Sequence, residues 1–301
     1  MDLSEKRQRM VKRHLEVRGI HDSAVLDAMR TVPREAFLPD ELAEFAYEDT
    51  PLPIEEGQTI SQPFIVAAMV EALQLEPQDR VLEIGTGSGY AAATLGEIAN
   101  EVYTIERHRI LANLAEHRLR ELEYPNVHVL CGDGTLGWPE EAPFDAILVS
   151  AGGPEVPRVL LEQLSPGGRI VIPVGPDVRD QRLLRVTKQP DGRTRTEDLG
   201  GVRFVPLIGA GGFAESPEVP SPTRIPSPEP PIAHLIRETC QPISNIDEVE
   251  LGPLLEQVGD RWVQGIHKTL GVEIPEEDYG KIVSLGDAID YVAGRESFEQ
   301  S

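Results

Sequence analysis

Cysteine is scarce in this chain of 301 residues, which contains only Cys131 and Cys240. Two cysteines cannot build a disulfide framework or a cysteine-rich metal site, so we predict neither, and no residue is predicted to bind a metal. Long apolar runs are also missing, because no segment approaches the roughly 18 apolar residues of a transmembrane helix. Residues 1–19 are charged throughout and lack the apolar core of a secretory signal. We therefore expect a cytoplasmic protein without a membrane partner.

Positive charge is in short supply, since 28 Lys and Arg residues accompany 51 Asp and Glu residues and leave a net charge of -23. A surface this acidic repels nucleic acid and anionic lipid, so neither is an expected partner. The imbalance grows toward the C-terminus, where residues 211–301 contain 17 acidic and 6 basic residues. Hydrophobic residues make up 40% of the chain, as in soluble globular proteins, which excludes wholesale disorder.

A proline-rich segment divides the chain. Residues 211–232 contain seven prolines that alternate with Ser and Glu and show no apolar period, a composition typical of a semi-rigid linker. Helical apolar spacing returns over residues 233–296. We therefore predict a domain over 1–210, with N-terminal helices in 1–60 and an α/β core in 61–210. The linker at 211–232 and an acidic helical appendage at 233–301 complete the prediction.

The first domain alternates short apolar runs with helical patterns. Residues 4–31 have apolar side chains at helical spacing, broken at Gly19, which predicts two amphipathic helices. Farther along, apolar runs such as RVLEIG and FDAILVSAG alternate with helical stretches. This rhythm predicts a doubly wound, mostly parallel sheet with helices on both faces. Two more runs, RLLRVTKQ and VRFVPLIG, flank a turn at 190–192 and predict an antiparallel addition at one edge.

A glycine-rich turn, GTGSG at 85–89, follows the first strand of this pattern and leads into a helix. Glycines permit a sharp turn and a close approach to a ligand, while the helix start offers free N–H groups. A dinucleotide fingerprint needs a glycine where this chain has Tyr90. The pattern therefore favours S-adenosylmethionine over NAD, because S-adenosylmethionine has no pyrophosphate and its ammonium can pair with the acid at Glu83. A plain tight turn is the alternative. The predicted cofactor residues here are Glu83, Gly85, Thr86, Gly87, Ser88 and Gly89.

Two further acids follow the next two strands. Glu106 closes the second strand, 17 residues after Gly89, where an acid can accept the hydroxyl groups of a ribose. Asp133, with Gly134 beside it, follows the third strand and is placed to accept an adenine amino group. A surface glutamate and a turn cap are the alternatives for these two acids. Because the carboxyl ends of parallel strands meet at one crevice, the three acids together predict a nucleoside site.

Five motifs in the first 210 residues form a specific set. They are GQTISQP at 57–63, VLEIGTGSGY at 81–90, GDG at 132–134, APFDAI at 142–147 and VRFVPL at 202–207. Together they resemble the protein-L-isoaspartate O-methyltransferase family over residues 4–210. The resemblance implies a Rossmann-like fold, S-adenosylmethionine as cofactor, and methylation of the carboxylate of isoaspartyl residues in damaged proteins, the first step of their repair.

The same resemblance implies roles for residues outside the glycine-rich turn. Ser61 resembles the family's active-site serine, which would orient the substrate carboxylate by a hydrogen bond. The backbone at Ile60, Gln62 and Pro63 would border the cofactor, and Val205 and Pro206 would line the peptide cleft. From the residues alone, Ser61 could equally cap a helix that starts near Pro63. A carboxylate with a pKa of about 4 is already ionised at neutral pH, so this reaction needs no strong general base.

Two other classes of function stay open at this point. One is a different S-adenosylmethionine-dependent enzyme, although amino-methylating enzymes usually carry an Asp/Asn-Pro-Pro-aromatic motif where this chain has SAGGP at 150–154. The other is a non-catalytic adaptor that recruits a protein partner through the appendage. Residues 271–292 resemble the last third of an acyl carrier protein, but Glu256 and its neighbours offer no serine for the phosphopantetheine group. The appendage is therefore predicted to dock a partner or to have no role in catalysis.

Overall fold

The computed structural model describes residues 2–177 and 179–214. The predictions for the acidic appendage and for most of the proline-rich segment lie outside the described residues. Among those described, no helix combines the length and the apolar character that crossing a membrane requires.

The N-terminal segment forms two helices on either side of Gly19, as the apolar spacing predicts. Helix α1 spans Leu3–Met10 and continues through a π-helical turn and a 3-10 turn as far as Arg18. Gly19 ends it in the left-handed region, with φ of 98°. Helix α2 spans Ser23–Thr31, and the Asp22 carboxylate caps it by accepting backbone N–H groups. The loop that follows contains a short antiparallel pair, β1 (Leu52–Pro53) and β2 (Thr59–Ile60).

A seven-stranded sheet forms the centre of the described residues, in the order β5-β4-β3-β6-β7-β8-β9. The strands are β3 (Arg80–Ile84), β4 (Glu101–Glu106), β5 (Val127–Cys131), β6 (Phe144–Val149), β7 (Leu164–Asp177), β8 (Asp180–Lys188) and β9 (Thr194–Val202). In this order the first five strands, from β5 to β7, pair in parallel. Strands β8 and β9 then extend the sheet by antiparallel pairing. Strand order reverses between β3 and β6, which is where open α/β sheets bind ligands.

Four helices complete the α/β core. They are α3 (Pro63–Leu73), α4 (Tyr90–Gly96), α5 (Arg109–Glu121) and α6 (Arg158–Glu162). The central strands β3 and β6 are buried along almost their whole length, as expected for parallel strands covered by helices on both faces. The predicted Rossmann-like architecture with an N-terminal helical segment is therefore confirmed.

The antiparallel edge differs from the prediction in its last strand. The second strand of the hairpin is β9, with the polar sequence TRTEDLGGV, and not VRFVPLIG. The prediction followed apolar content, whereas this outermost strand packs against a neighbour on one edge only and can be largely exposed. From residue 203 the chain leaves the sheet edge, and Gly152 forms a parallel bridge with Pro206. VRFVPLIG therefore borders the carboxyl ends of the central strands.

Candidate active site

A cavity of about 350 Å³ opens at the carboxyl ends of β3, β4 and β6. Its walls come from four separate segments, 57–61, 83–88, 105–108 and 205–208, with further residues from the loop after β6. Of the predicted site residues, the lining includes Ile60, Ser61, Glu83, Gly85, Thr86, Gly87, Ser88, Glu106, Gly134, Val205 and Pro206. Gln62, Pro63, Gly89 and Asp133 lie outside that lining.

The glycine-rich turn forms the floor of the cavity between β3 and α4. Gly85, Gly87 and Gly89 all have positive φ, which L side chains rarely adopt, so the turn depends on these glycines. A Cβ atom at Gly89 would lie in contact with Ala115 and Phe37, at 3.4 Å. Tyr90, which replaces the third glycine of a dinucleotide fingerprint, is fully buried at the start of α4.

Glu106 connects the end of β4 with the glycine-rich turn. One carboxylate oxygen accepts the backbone N–H of Gly87 at 2.8 Å, and the other accepts the N–H of His108 at 2.9 Å. The residue is only 5% exposed, yet it lines the cavity. Each carboxylate oxygen can accept a further hydrogen bond. The side chain can therefore hold the turn and accept ligand hydroxyl groups at the same time.

Glu83 is a buried acid that forms no ion pair with any described residue. Its Oε2 accepts a hydrogen bond from the Thr104 hydroxyl at 2.6 Å, and Thr104 is itself 2.6 Å from the Thr86 hydroxyl. Its Oε1 has no hydrogen-bond partner among the described residues. Burial raises the pKa of Glu83 to about 8, against the opposing effect of the Thr104 hydroxyl and with a smaller contribution from the charge of Glu106. A cationic ligand group in the cavity would stabilise the ionised form of Glu83.

Asp133 follows β5, as the sequence predicts, and its carboxylate binds groups of the protein itself. Its Oδ1 accepts the N–H and the hydroxyl of Thr135, and its Oδ2 accepts the N–H of Ala210 at 2.9 Å. Burial raises the pKa of Asp133, but these hydrogen bonds outweigh it and hold the pKa below its usual range. A side chain at Gly209 would come within 2.1 Å of the carboxylate. Asp133 therefore anchors residues 209–211, while its neighbour Gly134 reaches the cavity wall.

Ser61 lies in the cavity wall between β2 and α3. Hydrogen bonds within the described part of the chain do not involve its hydroxyl group. Helix α3 begins at Pro63 with Gln62 as N-cap, and the first free N–H of the helix, at Phe64, donates to Asp49 at 3.0 Å. The capping interpretation of Ser61 is therefore wrong for this structure. Its hydroxyl is available to a ligand.

Val205 and Pro206 also line the cavity. Gly152 donates its N–H to the Val205 carbonyl and accepts the N–H of Leu207, both at 2.8 Å. The buried Gln181 side chain bonds both backbone polar groups of the preceding residue, Phe204. It accepts a hydrogen bond from the Phe204 N–H at 2.7 Å and donates one to the Phe204 carbonyl at 3.2 Å. Sequence analysis missed Gln181 and Asp49, since nothing in their local sequence marks either of them.

Comparison with known proteins identifies the family. The profile of the protein-L-isoaspartate(D-aspartate) O-methyltransferase family matches residues 5–211. The chain belongs to this family. A protein-L-isoaspartate O-methyltransferase of Geotalea uraniireducens is 58% identical over 212 residues, which cover 70% of this chain and 97% of that protein. A relative from Pelobacter propionicus is 60% identical over 208 residues, covering 69% of this chain and 92% of the relative.

Solved structures agree with that assignment. A protein-L-isoaspartate O-methyltransferase structure aligns with a TM-score of 0.62 at 32% identity, covering 69% of this chain and 67% of that one. A candidate member of the family from Plasmodium falciparum, solved with S-adenosyl-L-homocysteine, aligns with a TM-score of 0.59 at 28% identity, covering 67% and 98%. The cavity fits the family's cofactor, S-adenosylmethionine, because Glu83 offers an unpaired buried carboxylate oxygen and the glycine-rich turn permits close approach.

Proposed function

We propose that residues 2–214 of this methyltransferase transfer the methyl group of S-adenosylmethionine to the free carboxylate of an isoaspartyl residue in a damaged protein or peptide. The observation that carries this proposal is that one cavity brings three predicted features together. Glu83 and Glu106, the residues proposed to hold the cofactor, line this cavity together with Ser61 and with Val205 and Pro206, the residues proposed to contact the peptide.

The cofactor supplies an electrophilic methyl group on a sulfonium, and the chain's residues hold it. The carboxylate of Glu106 would accept hydrogen bonds from the ribose hydroxyls, and Glu83 would pair with the ammonium of the methionine half. Gly85, Thr86, Gly87, Ser88 and Gly134 line the cavity and would border the bound cofactor. The backbone at Ile60, Gln62 and Pro63 would lie next to it, and Gly89 keeps the turn in shape. For Asp133 we propose an indirect contribution, through residues 209–211, besides the predicted contact with adenine.

Ser61 acts on the substrate. Its hydroxyl would donate a hydrogen bond to the substrate carboxylate and hold one carboxylate oxygen toward the methyl group that the bound cofactor supplies. An ionised carboxylate is already a nucleophile at neutral pH, so no group of the protein needs to remove a proton. Alignment and removal from water account for the acceleration, and alignment alone can contribute up to about 7–11 kcal/mol.

The product ester explains the repair function. The neighbouring backbone nitrogen can attack the ester carbonyl and close a succinimide ring as methanol leaves, a far better leaving group than the oxide of a free carboxylate. Hydrolysis of that ring returns normal aspartate in part. The substrates are therefore isoaspartyl-containing proteins and peptides, with no role for nucleic acid in view of the net charge of -23. We propose a cytoplasmic enzyme, with residues 233–301 as an appendage that docks a protein partner.

Methyl transfer to two matched peptides tests this function. The peptides have the same sequence and differ only in an isoaspartyl or a normal aspartyl linkage. We expect transfer of labelled methyl from S-adenosylmethionine to the isoaspartyl peptide alone. Cofactor binding without transfer to either peptide would favour a non-catalytic adaptor. Transfer to small molecules or nucleic acid, but not to the isoaspartyl peptide, would assign the site to another methyltransferase class.

A further inference from the structure

Ser61 precedes Gln62, the N-cap of helix α3, so the position of the serine depends on how the helix begins. The first N–H groups of a helix have no partner within it and need an acceptor from elsewhere. The N-cap residue, Gln62, makes no capping hydrogen bond with its side chain. The acceptor comes from Asp49, which lies 15 residues upstream of Phe64 and accepts its N–H at 3.0 Å.

Asp49 also holds the residue next to Ser61. The side-chain nitrogen of Gln62 donates to the Asp49 carboxylate and to the Asp49 backbone carbonyl, each at 2.8 Å. The Asp49 side chain is only 11% exposed, so water competes little for these bonds. One residue thus fixes both Gln62 and Phe64, and the Ser61 backbone is held immediately before them.

Arg18 holds Asp49 in this orientation. Its guanidinium group forms an ion pair with the carboxylate oxygen that Gln62 also uses. The same guanidinium lies over the Phe64 ring, 3.5 Å from its centroid. The N-terminal helical segment is therefore connected to the turn that carries Ser61. Because the Arg18 side chain is 42% exposed, its contribution is smaller than that of Asp49.

We propose that Asp49 is a positioning residue for methyl transfer, which caps helix α3 in place of Ser61 and holds the serine hydroxyl in the cavity. This inference rests on the proposed function, because it gives Ser61 a substrate to orient. An uncapped helix would draw the nearest hydroxyl toward its free N–H groups, and Ser61 is a residue type that caps helices well. Asp49 removes that competition.

The test combines Asp49→Ala with Ser61→Ala in a double-mutant cycle in the full chain. Asp49→Ala should lower the turnover of an isoaspartyl peptide about tenfold, since displacement by about 1 Å is enough for such losses. Cofactor affinity, measured by calorimetric titration, should change less than about twofold. In the Ser61→Ala background, Asp49→Ala should have almost no further effect on turnover, because the group it positions is gone.

A matched control separates positioning from loss of stability. Asp22→Ala removes the carboxylate that caps helix α2, which accepts the N–H groups of Ala24 and Val25 and lies outside the cavity lining. We expect a similar fall in melting temperature for both variants but normal turnover for Asp22→Ala. Asp49→Asn, which keeps one acceptor for the Phe64 N–H, should recover part of the turnover.

Multiplicative losses in the double variant would overturn the inference, because Asp49 would then act independently of Ser61. Unchanged turnover in a folded Asp49→Ala variant would overturn it too. Failure of the proposed function is recognised separately, since the unaltered chain would then not methylate the isoaspartyl peptide at all.

Discussion

The carboxylate of Glu83 lies 2.6 Å from the Thr104 hydroxyl and, at its second oxygen, has no hydrogen-bond partner among the described residues. Such a buried group favours its neutral form until a cation arrives, and this is the reason for the raised pKa of about 8. The arrangement makes the binding of a cationic cofactor depend on the protonation state of one acid.

Cofactor affinity should therefore rise with pH below about pH 8. Below a pKa of about 8, Glu83 must lose its proton before it can pair with the ammonium group, so binding strengthens from pH 6 toward pH 8. Above about pH 8 the α-ammonium of the ligand loses its own proton, so binding weakens again. Calorimetric titration at several pH values measures this dependence. Glu83→Gln, which is neutral at every pH, should bind more weakly and lack this component of the pH profile. Identical profiles for the two proteins would remove Glu83 from the ammonium site.

Glu106→Ala should weaken S-adenosylmethionine binding by about 1.5–3 kcal/mol, the range for hydrogen bonds to charged groups. The substitution removes the proposed hydrogen bonds to the ribose. It also removes the hydrogen bonds that Glu106 accepts from the N–H groups of Gly87 and His108 in this structure. Glu101→Ala is the matched control, because Glu101 starts the same strand and bonds His128 away from the cavity. Equal affinities for the two variants would contradict the role of Glu106.

Ser61→Ala should lower the turnover of an isoaspartyl peptide about 10- to 100-fold, the effect of losing one hydrogen bond to a charged substrate group. Cofactor affinity should stay within about twofold, since the hydroxyl acts on the substrate and not on the cofactor. Steady-state kinetics and calorimetric titration give the two quantities. Ser23→Ala, at the exposed start of α2, serves as control. Unaltered turnover in Ser61→Ala would show that the hydroxyl has no part in the reaction.

A chain that ends at residue 214 should methylate isoaspartyl peptides at a rate within about twofold of the full chain. The site residues lie before this point, and the acidic appendage would repel a substrate carboxylate. The end must include residues 211–213, because Gly211 donates to the Thr135 hydroxyl and Phe213 to the Leu207 carbonyl. A chain that ends at residue 208 should lose activity. If the longer chain is folded by circular dichroism but inactive, the appendage contributes to the site.

By itself the sequence determined the parallel core and most of the cavity floor, because both follow from local patterns. Apolar runs with helices between them specify a buried parallel sheet, and the strands then bring Glu83 and Glu106 to one edge. The glycines at 85, 87 and 89 mark a backbone conformation that other residues rarely adopt. For these features, the local sequence pattern is enough to predict where the residues lie in the fold.

Only the tertiary structure decided how the walls of the cavity are held. Asp49 caps a helix that begins at Pro63, Gln181 bonds the peptide of Phe204, and Asp133 accepts the N–H of Ala210, 77 residues away. The outer strand β9 is polar, so apolar content pointed to the wrong segment. Each of these contacts pairs groups that are distant in sequence, and a hydrogen bond between them leaves no periodic signal in either segment. They form because a buried N–H or carboxylate needs a partner once folding has removed water.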